Sequence, residues 1–329
     1  MYLFSMHLRL VNDLSPRFTP SRLLLSGILV LLLFRATAYG ADPLPVVATL
    51  PVLKDFTEKI GGEYVQVVSL ITGLESEHTY TPKPSDVAAI LRARLLVKIG
   101  LGLEVWVNPL IENADRPDLM IVTTSDGVAL IRDTSESAEH PIGNTEIDKK
   151  HAFKERHTMG NPHIWLDPEN AKIMIRHITE GLIKVDPAHN KEFLQNQSRY
   201  IMELESLEKE LKKKVDSLKN RNLITHHPAW PYFARRFGFI IKGDIFTQVG
   251  SEPSARHIGD LIKQIKSEKI KVILSEPQLN PKIPEMLAGE TGAKVVILSP
   301  LPGALPGTTG YLEMIRYDVE TLVLALGGP

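Results

Sequence analysis

Three stretches of this chain place a histidine beside proline and an aromatic residue, where a strand-like run gives way to a loop or a helix begins. The first is Glu77-His78-Thr79-Tyr80-Thr81-Pro82-Lys83-Pro84-Ser85-Asp86. The second is Asn161-Pro162-His163-Ile164-Trp165-Leu166-Asp167-Pro168, and the third is His226-His227-Pro228-Ala229-Trp230-Pro231-Tyr232-Phe233. Imidazole is the commonest protein ligand for metals and suits Zn²⁺ in its neutral form. Three imidazoles this far apart converge only if the fold brings separate loops together. Taken singly, each reads equally as a loop histidine satisfied by a backbone carbonyl, and none belongs to a short metal-chelating helix motif. The chain has 11 His and no Cys. Thiolate nucleophiles, thiolate metal sites, disulfides and Fe–S clusters are therefore excluded, and histidine with carboxylates must build any metal site.

The remaining histidines read differently. His226 neighbours His227 at a strand end, where successive side chains point to opposite faces, so packing is its expected role. His177 lies inside a helical pattern, and His189 and His257 stand near helix starts; none is expected to be a ligand. His140, His151 and His157 fall in a charged, aperiodic stretch, 132–161, that reads as a surface loop or a weak metal-capturing one. Glu276, just after a strand, is a candidate to orient a metal-bound imidazole or to hold a lobe interface.

The elements that would position these residues alternate. Val46–Leu50, Val65–Leu70, Leu95–Ile99 and Met120–Thr123 read as buried strands, with helices over Val52–Ile60, Pro84–Leu91 and Leu103–Ile111 between them. A second set has strands at Leu223–Thr225, Phe239–Ile241, Val272–Ser275 and Val295–Leu298. Its helices fall near Pro231–Arg236, Ala255–Ser267, Pro281–Glu290 and Tyr311–Leu326. This rhythm implies two α/β lobes, each a parallel sheet covered by helices. Between them a helix over Pro168–Ile183, with Asp167 as N-cap and Pro168 first, precedes the longest helical pattern, Pro187 to Leu218. Phe193, Tyr200, Ile201, Leu204, Leu207, Leu211 and Val215 keep a spacing of three or four there, as one buried stripe requires. So long a helix acts as a stiff strut. The expected division is 41–186, 187–219 and 220–329.

The start of the chain reads as a targeting segment. Arg9, Arg17 and Arg22 precede an uncharged, mostly apolar run from Leu23 to Phe34, too short for the roughly 20 residues that span a bilayer. With small residues at Ala36, Ala38 and Gly40, residues 1–40 are expected to be a signal peptide, leaving no membrane insertion after cleavage. Its loss removes four Arg and one Asp from 38 basic and 39 acidic residues, leaving 34 against 38. A chain with no basic excess gives no reason to expect nucleic acid.

The three histidine stretches resemble the zinc/manganese substrate-binding proteins of bacterial ABC transporters. The likeness extends to Gly102-Leu103-Glu104-x-Trp106, Ser275-Glu276-Pro277-Gln278 and Tyr311-Leu312-Glu313-Met314, in order along nearly the whole chain after residue 40. It implies two α/β lobes joined by one long rigid helix, with the metal in the cleft and His78, His163 and His227 as ligands. Many relatives place an aspartate where Ser299 stands, before Pro300-Leu301-Pro302-Gly303; the fourth ligand here is Glu77 or a water. Three nitrogens favour Zn²⁺ over Mn²⁺, which prefers oxygen.

The function this implies is high-affinity periplasmic binding of Zn²⁺, the transported ligand, and its delivery by a monomer to an inner-membrane ABC permease. Alternatives are a Mn²⁺ or Fe²⁺ carrier of the same family, or an exported zinc-dependent hydrolase with a His₃ site. No nucleophile elbow or second acid–base pair supports the hydrolase. The lack of a cysteine for lipid attachment disfavours an anchored adhesin and points to a free periplasmic protein.

Overall fold

A computed structural model describes residues 42–132, 160–247 and 252–327 of the chain. The expected signal segment, and with it His140, His151 and His157, lie outside the described residues.

The first lobe carries β1 (Leu44–Ala48), β2 (Val65–Ser69), β3 (Leu95–Lys98) and β4 (Met120–Thr123). All pair in parallel, in the order β2-β1-β3-β4, with Val46 opposite both Val67 and Leu95. Parallel strands need crossovers, here supplied by α1 (Pro51–Gly61), α2 (Pro84–Arg92) and α3 (Asn108–Ala114). The second lobe repeats the plan. Its strands β5 (Asn222–Thr225), β6 (Ile240–Asp244), β7 (Val272–Ser275) and β8 (Lys294–Ile297) are parallel in the order β6-β5-β7-β8. The helices of the described residues continue with α4 (Pro168–Val185), α5 (Asn190–Val215), α6 (Pro231–Phe237), α7 (Ala255–Ser267), α8 (Lys282–Thr291) and α9 (Tyr311–Gly327).

Several expected bounds need correction. The first strand lies two residues earlier than the Val46–Leu50 expected, and β6 runs over Ile240–Asp244 where Phe239–Ile241 was expected. The helix expected over Leu103–Ile111 starts instead as a 3₁₀ turn, Val105–Val107, and becomes α-helical only at Asn108, with Pro109 in the first turn. Proline lacks an N–H and favours such a start. The long helix spans 26 residues, not the whole of 187–218: Pro187–His189 form a 3₁₀ turn, and the helix stops at Val215. The buried stripe is as expected except at Ile201, which is only partly covered.

At 1.5 Å per residue α5 runs about 39 Å, and it packs on α1 and α4 of the first lobe and α9 of the second. The largest buried apolar cluster passes through both lobes, from Leu44 to Leu326, and includes Phe193, Tyr200, Leu207 and Leu211 of this helix. A smaller cluster around Ile224, Leu261, Ile273 and Leu287 fills the far side of the second sheet.

Buried polar groups tie the same parts together. On α1, Asp55 Oδ2 accepts from Tyr200 Oη of α5 (2.9 Å) and from the Tyr311 N–H at the start of α9 (3.1 Å). Asp167 caps α4 by accepting from the Glu169 N–H, and Arg236 of α6 bonds its two oxygens at 2.5 and 3.2 Å. Arg236 also reaches Glu208 on α5 at 3.2 Å. Because Asp167 is fully buried, removing its main cation leaves a carboxylate with poor compensation. Arg236→Ala should therefore lower the unfolding free energy by about 2 kcal/mol or more in urea denaturation. Arg235→Ala, which removes a half-exposed partner, should have a much smaller effect.

Candidate metal centre

In open α/β sheets ligands gather at the carboxyl ends of strands, and the histidine loops lie there. The loop after β2 carries Glu77 and His78. Tyr80 Oη and the Lys83 N–H both donate to Asp86 Oδ2, at 2.8 and 2.7 Å, which folds this loop into the start of α2. Trp106 Nε1 donates to the Glu77 carbonyl (2.9 Å) and so pins the backbone between the two side chains. Its own turn is held by Glu104, whose buried carboxylate accepts from Thr49 Oγ1 and from the Ile99 and Gly100 N–H groups at 2.7–3.0 Å. Burial pushes the Glu104 pKa up even against those bonds.

His163 precedes a 3₁₀ turn, Ile164–Leu166, that leads into the capped start of α4. His227 follows β5, and Trp230 with Pro231 then opens α6. These loops place Nε2 of His163 at 3.0 Å from Nε2 of His78 and 3.4 Å from Nε2 of His227. Glu77 Oε1 lies 3.4 Å from the former nitrogen and 3.8 Å from His78 Nε2. Among the described residues, Glu77, His78, His163 and His227 are the group able to offer four donor atoms to one ion, all within 4.8 Å of one another.

Hydrogen bonds behind the imidazoles decide which way their lone pairs point. Asn161 Oδ1 accepts from the His163 backbone N–H, while Asn161 Nδ2 donates to the Pro228 carbonyl. The amide orientation is thereby set, so His163 Nδ1, 3.0 Å from the same Oδ1, must carry the proton. Its Nε2 then presents a lone pair. His227 Nδ1 faces Glu276 Oε1 at 2.8 Å, and Trp230 Nε1 donates to the same oxygen at 3.0 Å. Neutral His227 thus also turns a lone pair inward. Glu77 Oε1, buried with them, has no hydrogen-bond partner.

Such a set of acceptors is unfavourable when empty and suited to a cation. A tetrahedron with Zn–N legs of about 2.0–2.1 Å has edges of about 3.3–3.4 Å, close to the separations found here. The alternative to a metal is a proton. Burial disfavours charge on both imidazoles, yet at His227 the carboxylates of Glu276, Glu77 and Asp244 together outweigh it and raise the pKa. His163 is driven well below the ordinary value, first by burial and then by repulsion from His227.

The other titratable groups stand apart. His226 stacks on Phe246 and accepts weakly from the Glu276 N–H through Nδ1; burial lowers its pKa to about 4. His177 Nδ1 lies 3.2 Å from the Thr124 carbonyl, His189 pairs with Asp186 and stacks on Tyr64, and His257 bonds the Asp244 carbonyl. Ser299 Oγ is engaged by Leu301 and Gln278. Asn161 is the functional residue that sequence reasoning left without a role. Its position two residues before His163 was the available signal, since an Asn side chain bonds the backbone two residues on.

Two parallel-sheet lobes braced by a long helix thus surround a buried, nitrogen-rich centre. The family described as zinc-uptake complex component A, periplasmic, matches residues 46–325, and the chain belongs to it. A Treponema pallidum (strain Nichols) protein named for metal binding is 32% identical over 286 residues, covering 86% of this chain and 87% of that one. The high-affinity zinc uptake system protein ZnuA of Bacillus subtilis (strain 168) is 28% identical over 285 residues, covering 85% and 87%. Among solved structures, a zinc-bound deletion mutant of ZnuA matches with TM-score 0.75 at 27% identity, over 88% of this chain and 100% of that one. A manganese-bound mutant of a periplasmic metal-binding protein from Candidatus Liberibacter asiaticus matches with TM-score 0.72 at 25% identity, over 85% and 98%. The family is one of metal-binding transport components and not of enzymes, which sets the hydrolase alternative aside.

The opposed imidazoles yield a measurable expectation. In an NMR titration of the metal-free protein, His227 should protonate above the ordinary imidazole value of about 6.5 and His163 below it. Glu276→Gln removes the largest raising influence and leaves burial opposed only by Glu77 and Asp244, so the His227 pKa should fall. An unmoved His227 titration would show that Glu276 does not control it.

Proposed function

We propose that this protein captures one Zn²⁺ through Glu77, His78, His163 and His227 and delivers it to an inner-membrane ABC permease. The reading further takes residues 1–40 as a signal peptide, with 41–186 and 220–329 as lobes on a linker at 187–219. The working form is then a monomer free in the periplasm, and among the described residues no helix is long and apolar enough to cross a membrane. One observation carries the reading: three imidazole Nε2 atoms and Glu77 Oε1, which has no hydrogen-bond partner among the described residues, converge on one buried spot. Three imidazoles and one carboxylate match the tetrahedral preference of Zn²⁺ and its place above Mn²⁺ in the affinity order. The manganese-bound relative keeps Mn²⁺ as the second reading. Its test is direct, since that ion favours oxygen donors and this site offers one carboxylate.

Isothermal titration of the chelator-stripped mature protein should give one Zn²⁺ per chain with sub-micromolar affinity, and Mn²⁺ should bind more weakly. His163→Ala should cut zinc affinity far more than His177→Ala; equal losses would contradict the ligand assignment. Glu77→Gln should weaken binding too, and an unchanged affinity would assign the fourth position to water.

The pH dependence follows from the proton that zinc must displace. A ligand whose pKa is raised in the metal-free protein competes with metal at higher pH than usual. Because the His227 pKa is raised, affinity should start to decline on acidification while the pH is still above ~6.5, and drop steeply below about pH 6. His163, with its lowered pKa, adds nothing to this loss until the solution is more acidic. Zinc titrations from pH 8 to pH 5 check the order, and a flat profile across that range contradicts it.

A further inference from the structure

The turn after β7 reaches both sides of the metal centre. It is closed by the Leu279 N–H bonding the Glu276 carbonyl at 3.1 Å. Glu276 faces inward to His227 of its own lobe. Gln278, two residues on, reaches the other lobe: its Nε2 donates to the Gly73 carbonyl (2.5 Å) and to Ser299 Oγ (2.9 Å). Ser299 Oγ in turn donates to the Leu301 carbonyl and accepts from the Leu301 N–H, so the loop after β8 is bound to the same amide.

Gly73 belongs to the loop after β2, four residues before Glu77. A Cβ at that position would stand 2.5 Å from the Ala304 N atom and 2.6 Å from the Pro302 carbonyl oxygen, both main chain. The absence of a side chain is therefore what lets the two loops touch. Between Gly73 and the pair Glu77 and His78 the chain has little slack. Glu75 accepts from the Thr72 N–H, and Ser76 Oγ accepts from the His78 N–H at 3.3 Å. The loop is thus gripped at one end by Trp106 of its own lobe, at Glu77, and at the other by Gln278 of the opposite lobe, at Gly73.

We propose that Gln278 is a positioning residue for metal retention: its bond to Gly73 clasps the Glu77–His78 loop across the cleft and sets how slowly the bound ion leaves. The inference rests on the zinc-binding reading above. The clasp touches no donor atom itself, so it acts through the loop. Losing it frees the half of the site that carries Glu77 and His78, while His163 and His227 keep their own supports in Asn161 and Glu276. The loosened loop carries His78, the donor with most solvent contact, so escape is quickened, while uptake, limited by arrival of the ion, is little affected.

The test is the rate of zinc loss from the loaded mature protein into excess chelator, followed by stopped flow, beside the rate of uptake. Gln278→Met keeps the side-chain length and removes the donors; Gly73→Ala pushes the same loop off the opposite lobe through a different contact, the Pro302–Ala304 main chain. Each should raise the dissociation rate about three- to tenfold, the effect of one net hydrogen bond, with the association rate within about twofold of the parent. Melting of the metal-free variants shows that they are folded, and Gln278→Met alone decides the matter if Gly73→Ala does not fold. Folded Gln278→Met that releases zinc at the parental rate overturns the clasp, as does a change confined to uptake. A parent protein that takes up no zinc overturns the zinc-binding reading instead.

Discussion

Lone pairs held face to face in a buried place are the constraint around which this molecule is arranged. Left alone, His163 and His227 would turn their nitrogens apart or find water. Asn161 and Glu276 forbid that by occupying Nδ1 of each ring, so that Nε2 has nowhere to point except inward. Glu77 is brought to the same spot with one oxygen unpartnered. Unsatisfied buried polar atoms are rare because each is costly. Those found among the described residues are Glu77 Oε1, His226 Nε2, Gln278 Oε1 and Asp318 Oδ2, on the four donors or close to their supports. Asp318 is fully buried near Glu276 and Ser299, and burial raises its pKa well above the usual carboxylate range. The polar strain of the protein is concentrated around one centre.

The scaffold supplies the rigidity that such an arrangement demands. Many residues of the sequence motifs do not face the centre at all; they hold the ones that do. Tyr80 and Asp86 fold a loop into a helix, and Trp106 pins the Glu77 backbone. Trp165 crosses to the opposite lobe, donating to the Pro300 carbonyl at 2.7 Å, and Tyr311 returns the bond to the Trp165 carbonyl at 2.7 Å. Tyr232 of α6 likewise bonds the Asn161 carbonyl at 2.8 Å, coupling the second lobe to the residue that orients His163. Aromatic residues serve here because each buries a large apolar body while its polar tip reaches a carbonyl.

Much of this was legible in the sequence, and the gaps have physical causes. The strands Met120–Thr123 and Val272–Ser275 matched residue for residue, whereas the run Val46–Leu50 falls two residues beyond its strand, because local composition marks an apolar run but not which of its residues pair. The edge strand β6 was misplaced by a residue and read too short. It runs to Asp244 through Lys242, and its pairing shifts at Leu223 and Ile224, which no local pattern reveals. The histidines drew attention by type and neighbours, and the structure gathers His78, His163 and His227 with Glu77. What stayed hidden was contact between distant segments: the Pro228 carbonyl that orients Asn161, and the Gly73 carbonyl that meets Gln278. Main-chain acceptors have no signature in sequence, since every residue carries one.

The unbroken apolar core through both lobes and α5 has a mechanical consequence. In a two-lobed binder with a flexible waist, part of the attraction for the cargo is absorbed in swinging the lobes together, and thermal opening alone returns it. Here there is no waist to swing, because Phe193, Tyr200, Leu207 and Leu211 fill the space a bending motion would have to open. Of the four donor side chains, only His78 has appreciable contact with solvent, 17% against 3–5% for the others. Traffic must therefore pass one face, by movement of loops over a stationary body. In the proposed delivery, unloading is then a task for the partner that docks on that face and works on those loops.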